Sequence, residues 1–239
     1  MKVIHFAMLL MGALPSAWGQ SGALVDEEIL ATLRVVEDPD GQSNLRAEPT
    51  LKAKVVGQVP SGSVVAVDTP NKGEWAKLSY GDLGNTPRYI HTSRLKKLNA
   101  WKQIAVSDSS NDNLGVLKHA GIDVRVMATP FVAADHKITR DKQGMHLVDG
   151  KSPWGQDGGI PKLSLSLAVT QNGDPVAIPK VATQNLFEPN MDSLVLLTPS
   201  NAGDHAVVLM MNSDGAGGYC VVWAFQKGSY RGRAVFHPF

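Results

Sequence analysis

The stretch His205–Phe225, "HAVVLMMNSDGAGGYCVVWAF", decides how the second half of this chain is read. Two apolar, β-branched and aromatic runs flank a short Asn/Asp/Gly segment, which is the signature of a β-hairpin. Glycine permits positive φ there without a Cβ clash. A phosphate-binding loop needs a helix after it, with its N-terminus facing the anion. The residues after these glycines have the composition of a strand, and the Lys-Ser/Thr pair of a nucleotide-binding loop is missing. A Ca²⁺ loop needs several oxygen ligands, and only Asn212, Ser213 and Asp214 lie close by. The segment therefore reads as a turn. Tyr219, Val221, Trp223 and Phe225 share one strand face, a row that can serve as a sugar platform but is more often core.

Working outward, the same logic organises the last part of the chain. Ile122, Val124, Val126 and Ala128 alternate with other residues, as do Leu163, Leu165, Leu167 and Val169. A period of two puts one face on a core and the other toward solvent. Asn172-Gly173 reads as a tight hairpin turn. "DSLVLLT", "HAVVLMM" and "YCVVWAF" are apolar throughout, as expected of central strands covered on both faces. No segment shows strong helical periodicity.

The first half carries shorter strands, "KVVGQV", "SVVAVDT", "EWAKLSY" and "RYIHT", between Gly and Pro punctuation. That spacing suggests a small barrel or sandwich. Residues 24–34 read as a brief helix capped by Asp26, or as an edge strand. Pro39 and Gly41 form a turn pair. The polar run "SDSSNDN" (residues 107–113) lies within a stretch, 99–113, read as a linker. The expected fold class is all-β: a small barrel over residues 38–98, then an antiparallel β-sandwich-like domain over 114–239.

Of 239 residues, 23 are basic and 22 acidic, so no strong field points to nucleic acid or to an anionic membrane. Lys2, the apolar run "VIHFAMLLMGAL", Pro15 and the small residues Ala17 and Gly19 read as a signal peptide over residues 1–19, cleaved before Gln20. Residues 20–37 read as a leader. The protein is thus expected to be exported, to the periplasm or beyond, with no transmembrane segment in the mature chain. Cys220 is the only cysteine, so no intramolecular disulfide forms; its apolar neighbours make it a core thiol rather than a nucleophile.

The segment 38–95 resembles the bacterial SH3-like (SH3b) domain family. The resemblance rests on Asn44-Leu45-Arg46, Val55-Val56-Gly57, Gly62 with Val64 and Val65, Trp75-Ala76-Lys77-Leu78, and the ending Tyr89-Ile90-His91 with Ser93 and Leu95. One departure is Pro87-Arg88 in place of the glycine before the closing aromatic, after a longer loop. The resemblance implies a small barrel that binds cell-wall glycopeptide or a protein partner. The short strands and tight turns around one central tryptophan, Trp75, expected in the core, agree with it.

The chain offers no HExxH, no CxxC, no Gly-x-Ser-x-Gly elbow and no paired-histidine zinc spacing. No catalytic residue, metal site or cofactor is assigned. Asp149 with Asp157 is a carboxylate pair whose separation the sequence does not give. Candidate binding residues are Tyr80, Arg88 and Tyr89 in the SH3-like part, and Trp154 and Asp157 in "SPWGQDGGIP". Trp154 reads either as a stacking platform or as a cap on the sandwich core. The leading expectation is an exported, non-enzymatic binding protein, with an inhibitor or immunity protein as one variant. The alternative is a cell-wall hydrolase with an SH3-like targeting module.

Overall fold

A computed structural model describes residues 24–68, 73–79, 81, 86–156, 158–200, 204–212 and 217–238. The signal segment, Tyr80, Asp157 and Asp214 lie outside them. Helix α1 (Glu27–Thr32) leads into β1 (Leu33–Val36), then β2 (Gln42–Arg46), β3 (Val55–Pro60), β4 (Val64–Ala66), β5 (Trp75–Lys77), β6 (Tyr89–His91) and β7 (Leu95–Lys97). Then come β8 (Lys102–Ala105), β9 (Leu114–His119), β10 (Ile122–Pro130), β11 (Ile138–Arg140), β12 (His146–Val148), β13 (Leu163–Gln171), β14 (Asp174–Pro175), β15 (Val195–Thr198), β16 (His205–Asn212), β17 (Tyr219–Gln226) and β18 (Ser229–Phe236).

These strands stack as four antiparallel layers. The outermost is β3-β2-β6-β5, the next β4-β1-β7, the third β18-β17-β16-β15-β8 and the last β14-β13-β10-β9. The hairpin β11-β12 stands apart as a two-stranded sheet. The fold is all-β, as expected.

Strand alternation builds a core between each pair of layers. In β4, Val65 turns to the first core with Leu45, Ala76 and Ile90, while Val64 and Ala66 turn to the second. The second core joins Leu33 and Val35 of β1 and Ile29 and Leu30 of α1 to Leu197, Val207, Cys220 and Val222 of the five-stranded sheet. The opposite face of that sheet carries Val208, Tyr219, Val221, Trp223 and Phe225, packed with Val124, Val126, Leu165 and Leu167. The five-stranded sheet is therefore covered on both sides, which is why β15, β16 and β17 are apolar without alternation.

The opening hairpin is formed: β16 and β17 pair from His205↔Gln226 to Asn212↔Tyr219. Asn172 and Gly173 take φ of 54° and 90°, and close β13 onto β14 through the pair Gln171↔Asp174. Asp26 caps α1 by accepting from Glu28 N at 2.8 Å.

The first two layers do not close into a single barrel ladder. They pack face to face and are linked at one corner by the bridge Val67↔Leu78. The segment read as a leader supplies β1, the central strand of the second layer. The segment read as a linker supplies β8, which pairs with β15 from Val195↔Ala105 to Thr198↔Lys102. Both are strands because a partner edge is offered to them, a tertiary effect that their mixed local composition does not announce. Further ties join the halves: Ser63 Oγ donates to Arg231 O at 2.7 Å, His205 Nε2 lies 2.8 Å from Gly62 O, and Gly81 bridges to Phe236.

Candidate functional site: the outer face of the first sheet

Residues opposite one another on neighbouring strands share a face. Trp75 pairs with His91, and Tyr89 pairs with both Lys77 and Arg46. Ala76 and Ile90, between them, are fully buried in the core. The outer face of the first sheet thus presents Trp75, Lys77, Tyr89, His91, Arg46 and Asn44.

Trp75 is only partly buried, so its expected core position is corrected. The reason is parity within the strand: Trp75 and Lys77 point the same way, and Ala76 and Leu78 point inward. The Trp75 ring meets the His91 ring edge-on, with centroids 5.2 Å apart. His91 is itself held, its Nδ1 lying 2.8 Å from Ser93 Oγ and accepting from Ser93 N at 3.3 Å.

A groove of about 330 Å³ runs beside this pair, lined in part by Asp38, Asn44, Arg46, Trp75, His91 and Arg94. Its polar end is organised by Asp38. The Asp38 carboxylate accepts from Ser43 Oγ at 2.6 Å and from Asp40 N at 3.0 Å, and lies 3.4 Å from Arg94 Nε. The Ser43 hydroxyl, then the Asp40 N–H, hold this carboxyl below the usual carboxylate range; burial opposes them and Arg94 assists. Arg46 Nη1 donates to Ala53 O at 2.7 Å, which fixes the loop after β2. On that loop Leu51 stands largely exposed at the groove's edge. The groove combines an aromatic wall, two guanidinium groups and a fixed carboxylate. Such a lining suits a polar ligand with an apolar or ring face.

Of the residues picked from the sequence, Arg88, Tyr89 and Trp154 lie among the described residues, the first two in the SH3-like half and Trp154 in the other. Tyr89 lies on the outer face, partly buried. Arg88, also partly buried, accepts from Leu78 N through its carbonyl at 2.9 Å. Trp154 sits in the other half, partly buried and packed against the core between the last two layers. Its ring lies 4.8 Å from that of His237 and 5.9 Å from that of Tyr219.

Elsewhere, the Cys220 thiol is fully buried and burial pushes its pKa up. No cluster of three or more His, Cys, Asp or Glu placed to hold a metal occurs among the described residues. Among the same residues, no helix is long and apolar enough to cross a membrane.

Residues 41–96 match the family model of the bacterial SH3 domain. This part of the chain is such a domain, and the groove with its Trp75–His91 wall belongs to it. No curated protein and no solved structure matches the chain. A bacterial SH3 domain is consistent with a module that binds cell-wall material or a protein. The matched stretch begins after β1, although β1 pairs with both β4 and β7 and completes the second layer.

Proposed function

We propose that this is an exported, non-enzymatic binding protein, and that its SH3 domain takes cell-wall glycopeptide or a protein partner in the groove beside Trp75. The observation that carries this reading is the Trp75–His91 pair, an aromatic wall on the outer face of a sheet whose other face packs Leu45, Ala76 and Ile90 into the core. Aromatic groups that reach the surface already oriented offer contact area at little entropic cost. Arg46 and Arg94 add charge-assisted donors for carboxylate or amide oxygens. Occlusion of a toxin or a wall enzyme would use the same rigid surface.

The test is co-sedimentation of the full chain with purified wall sacculi, alongside capture from an envelope extract. Retention by either, lost in Trp75→Ala while the variant stays folded at the assay temperature, is the expected result. Retention unchanged in Trp75→Ala removes the groove from the reading. Clearing of a wall substrate in a zymogram replaces it with the hydrolase alternative.

A further inference from the structure

A second cavity, of about 130 Å³, lies between the loops after β12 and β14 and the start of β13. We propose that it is a binding site for the free carboxylate of a peptide C-terminus, independent of the SH3 groove.

Charge is the first argument. The cavity is lined by Lys151, Lys180, His136 and Asp149. Asp149 is already committed, because its Oδ2 lies 2.9 Å from His136 Nδ1 and its Oδ1 accepts from Lys137 N at 3.0 Å. The His136 ring is in turn stacked on Phe131, with centroids 4.7 Å apart. Neither Lys151 nor Lys180 makes an ion pair among the described residues. The wall thus carries two lysines against one carboxylate, which His136, Lys137 N and the charge of Lys180 already share, and that excess of positive charge favours a carboxylate ligand.

Asn185, also on the cavity wall, gives the second argument. Its Nδ2 donates to Ser152 O at 2.6 Å, while its Oδ1 is shielded from solvent and has no partner. An unsatisfied buried acceptor is uncommon and asks for a donor. A ligand with an N–H a few bonds from its carboxylate supplies one. Asn185 holds a φ of 67°, which glycine also adopts.

Size and floor give the third. Sites that engulf a drug-sized ligand measure roughly 300–1,000 Å³, so this one takes only the end of a ligand. Leu165, Leu186 and Phe187 supply an apolar floor for one small side chain. Carboxylate, N–H and a short apolar group together describe a C-terminal amino-acid residue.

The experiment titrates the full chain by calorimetry with acetyl-alanyl-alanine, its C-terminal amide, and N-acetylmuramic acid, an acidic amino sugar. The free-acid peptide should bind, and the amide about tenfold or more weakly. Lys151→Met with Lys180→Met should weaken the acid by a similar factor. Asn185→Gly, which suits the positive φ, should also weaken it without lowering the melting temperature. Equal binding of acid and amide overturns the proposal, as does the absence of millimolar binding by the acid. Binding by the sugar in place of the peptide, or full affinity in the double lysine variant, overturns it as well.

Discussion

Two strands of this chain carry the same Trp-Ala dipeptide, and the two tryptophans meet opposite environments. In β5, Ala76 is buried and Trp75 is only partly buried beside a groove. In β17, Trp223 and Ala224 are both fully buried, on opposite faces of a sheet that is covered on both sides. The difference lies in the layers around each strand. β5 belongs to an outer sheet with one packed face, so its second parity is free to carry Trp75 and Lys77. β17 runs through the third of four layers, so neither parity reaches solvent. A tryptophan's burial depends on how many faces of its strand are covered, and its own hydrophobicity does not decide it.

The sharpest way to break this comparison is to remove the buried ring. Trp223 makes no contact with solvent, and its Nε1 donates to Ala182 O at 2.7 Å. Trp223→Ala should cost about 3–5 kcal/mol, from lost transfer energy and the cavity left behind. Urea unfolding of the full chain measures it. A loss near zero would mean that the last two layers do not depend on their shared core.

A second test asks whether the halves unfold together. Leu33 of β1 is fully buried between α1, β4 and the five-stranded sheet. Leu33→Ala should cost about 2–5 kcal/mol, and the whole chain should shift in one transition because this core is built from both halves. Two transitions, only the first of them displaced, would show separately stable units. Protease cleavage within residues 107–113 tests the same point. That stretch is exposed in part, yet hydrogen-bonded through Ser107 N to Val116 O and Asn111 N to Leu114 O. The nicked pieces should stay associated.

Legibility in the sequence divides along the same layers. Strands with one covered face announce themselves by alternation, as β10 and β13 do, and those with two covered faces by unbroken apolar runs, as β15 to β17 do. The SH3 segment was legible from the order of its short motifs. β1 and β8 were not, because each becomes a strand through the edge it meets. Trp75 was misplaced although the signal was present: in "EWAKLSY" it shares parity with Lys77, and the inward positions are Ala76 and Leu78. Asp38 left no local signal. Its role depends on Ser43, Asp40 and Arg94, and Arg94 reaches it only once β6 and β2 are side by side.

A smaller effect is expected at that polar end of the groove. Asp38 is nearly buried, and its folded pKa lies below the ordinary value because of Ser43 first and the Asp40 N–H next. The folded state therefore favours the ionised form more than the unfolded chain does. The resulting stability is fully present above about pH 4 and is lost as pH falls through the lower folded value. Ser43→Ala removes the leading donor and should cost about 1–3 kcal/mol at neutral pH. It should also flatten the fall in stability below about pH 4. Stability measured against pH for both proteins decides it. Parallel curves would mean that the Ser43 hydroxyl does not set the ionisation of Asp38.

The smallest stability effect, and the one with the largest consequence for binding, belongs to Trp75. Its neighbours on the outer face are His91 and Lys77, and the core beneath it is closed by Ala76 and Ile90 without its help. Removing the ring leaves no internal cavity. The ring loses its edge-on contact with His91, worth about 0.5–1.5 kcal/mol beyond area burial for an aromatic pair, together with the part of its area that its neighbours cover. Trp75→Ala should therefore cost about 1–2 kcal/mol, against about 3–5 kcal/mol for Trp223→Ala. Trp75→Phe keeps a flat apolar face and should keep most of the retention on sacculi or partner that the alanine variant loses. The two measurements separate the roles of the ring. A stability loss as large as that of Trp223 would make Trp75 a core residue after all, and the aromatic wall of the groove would be a by-product of packing. A small loss together with abolished retention leaves only one role for a tryptophan on that face, which is to touch something outside the chain.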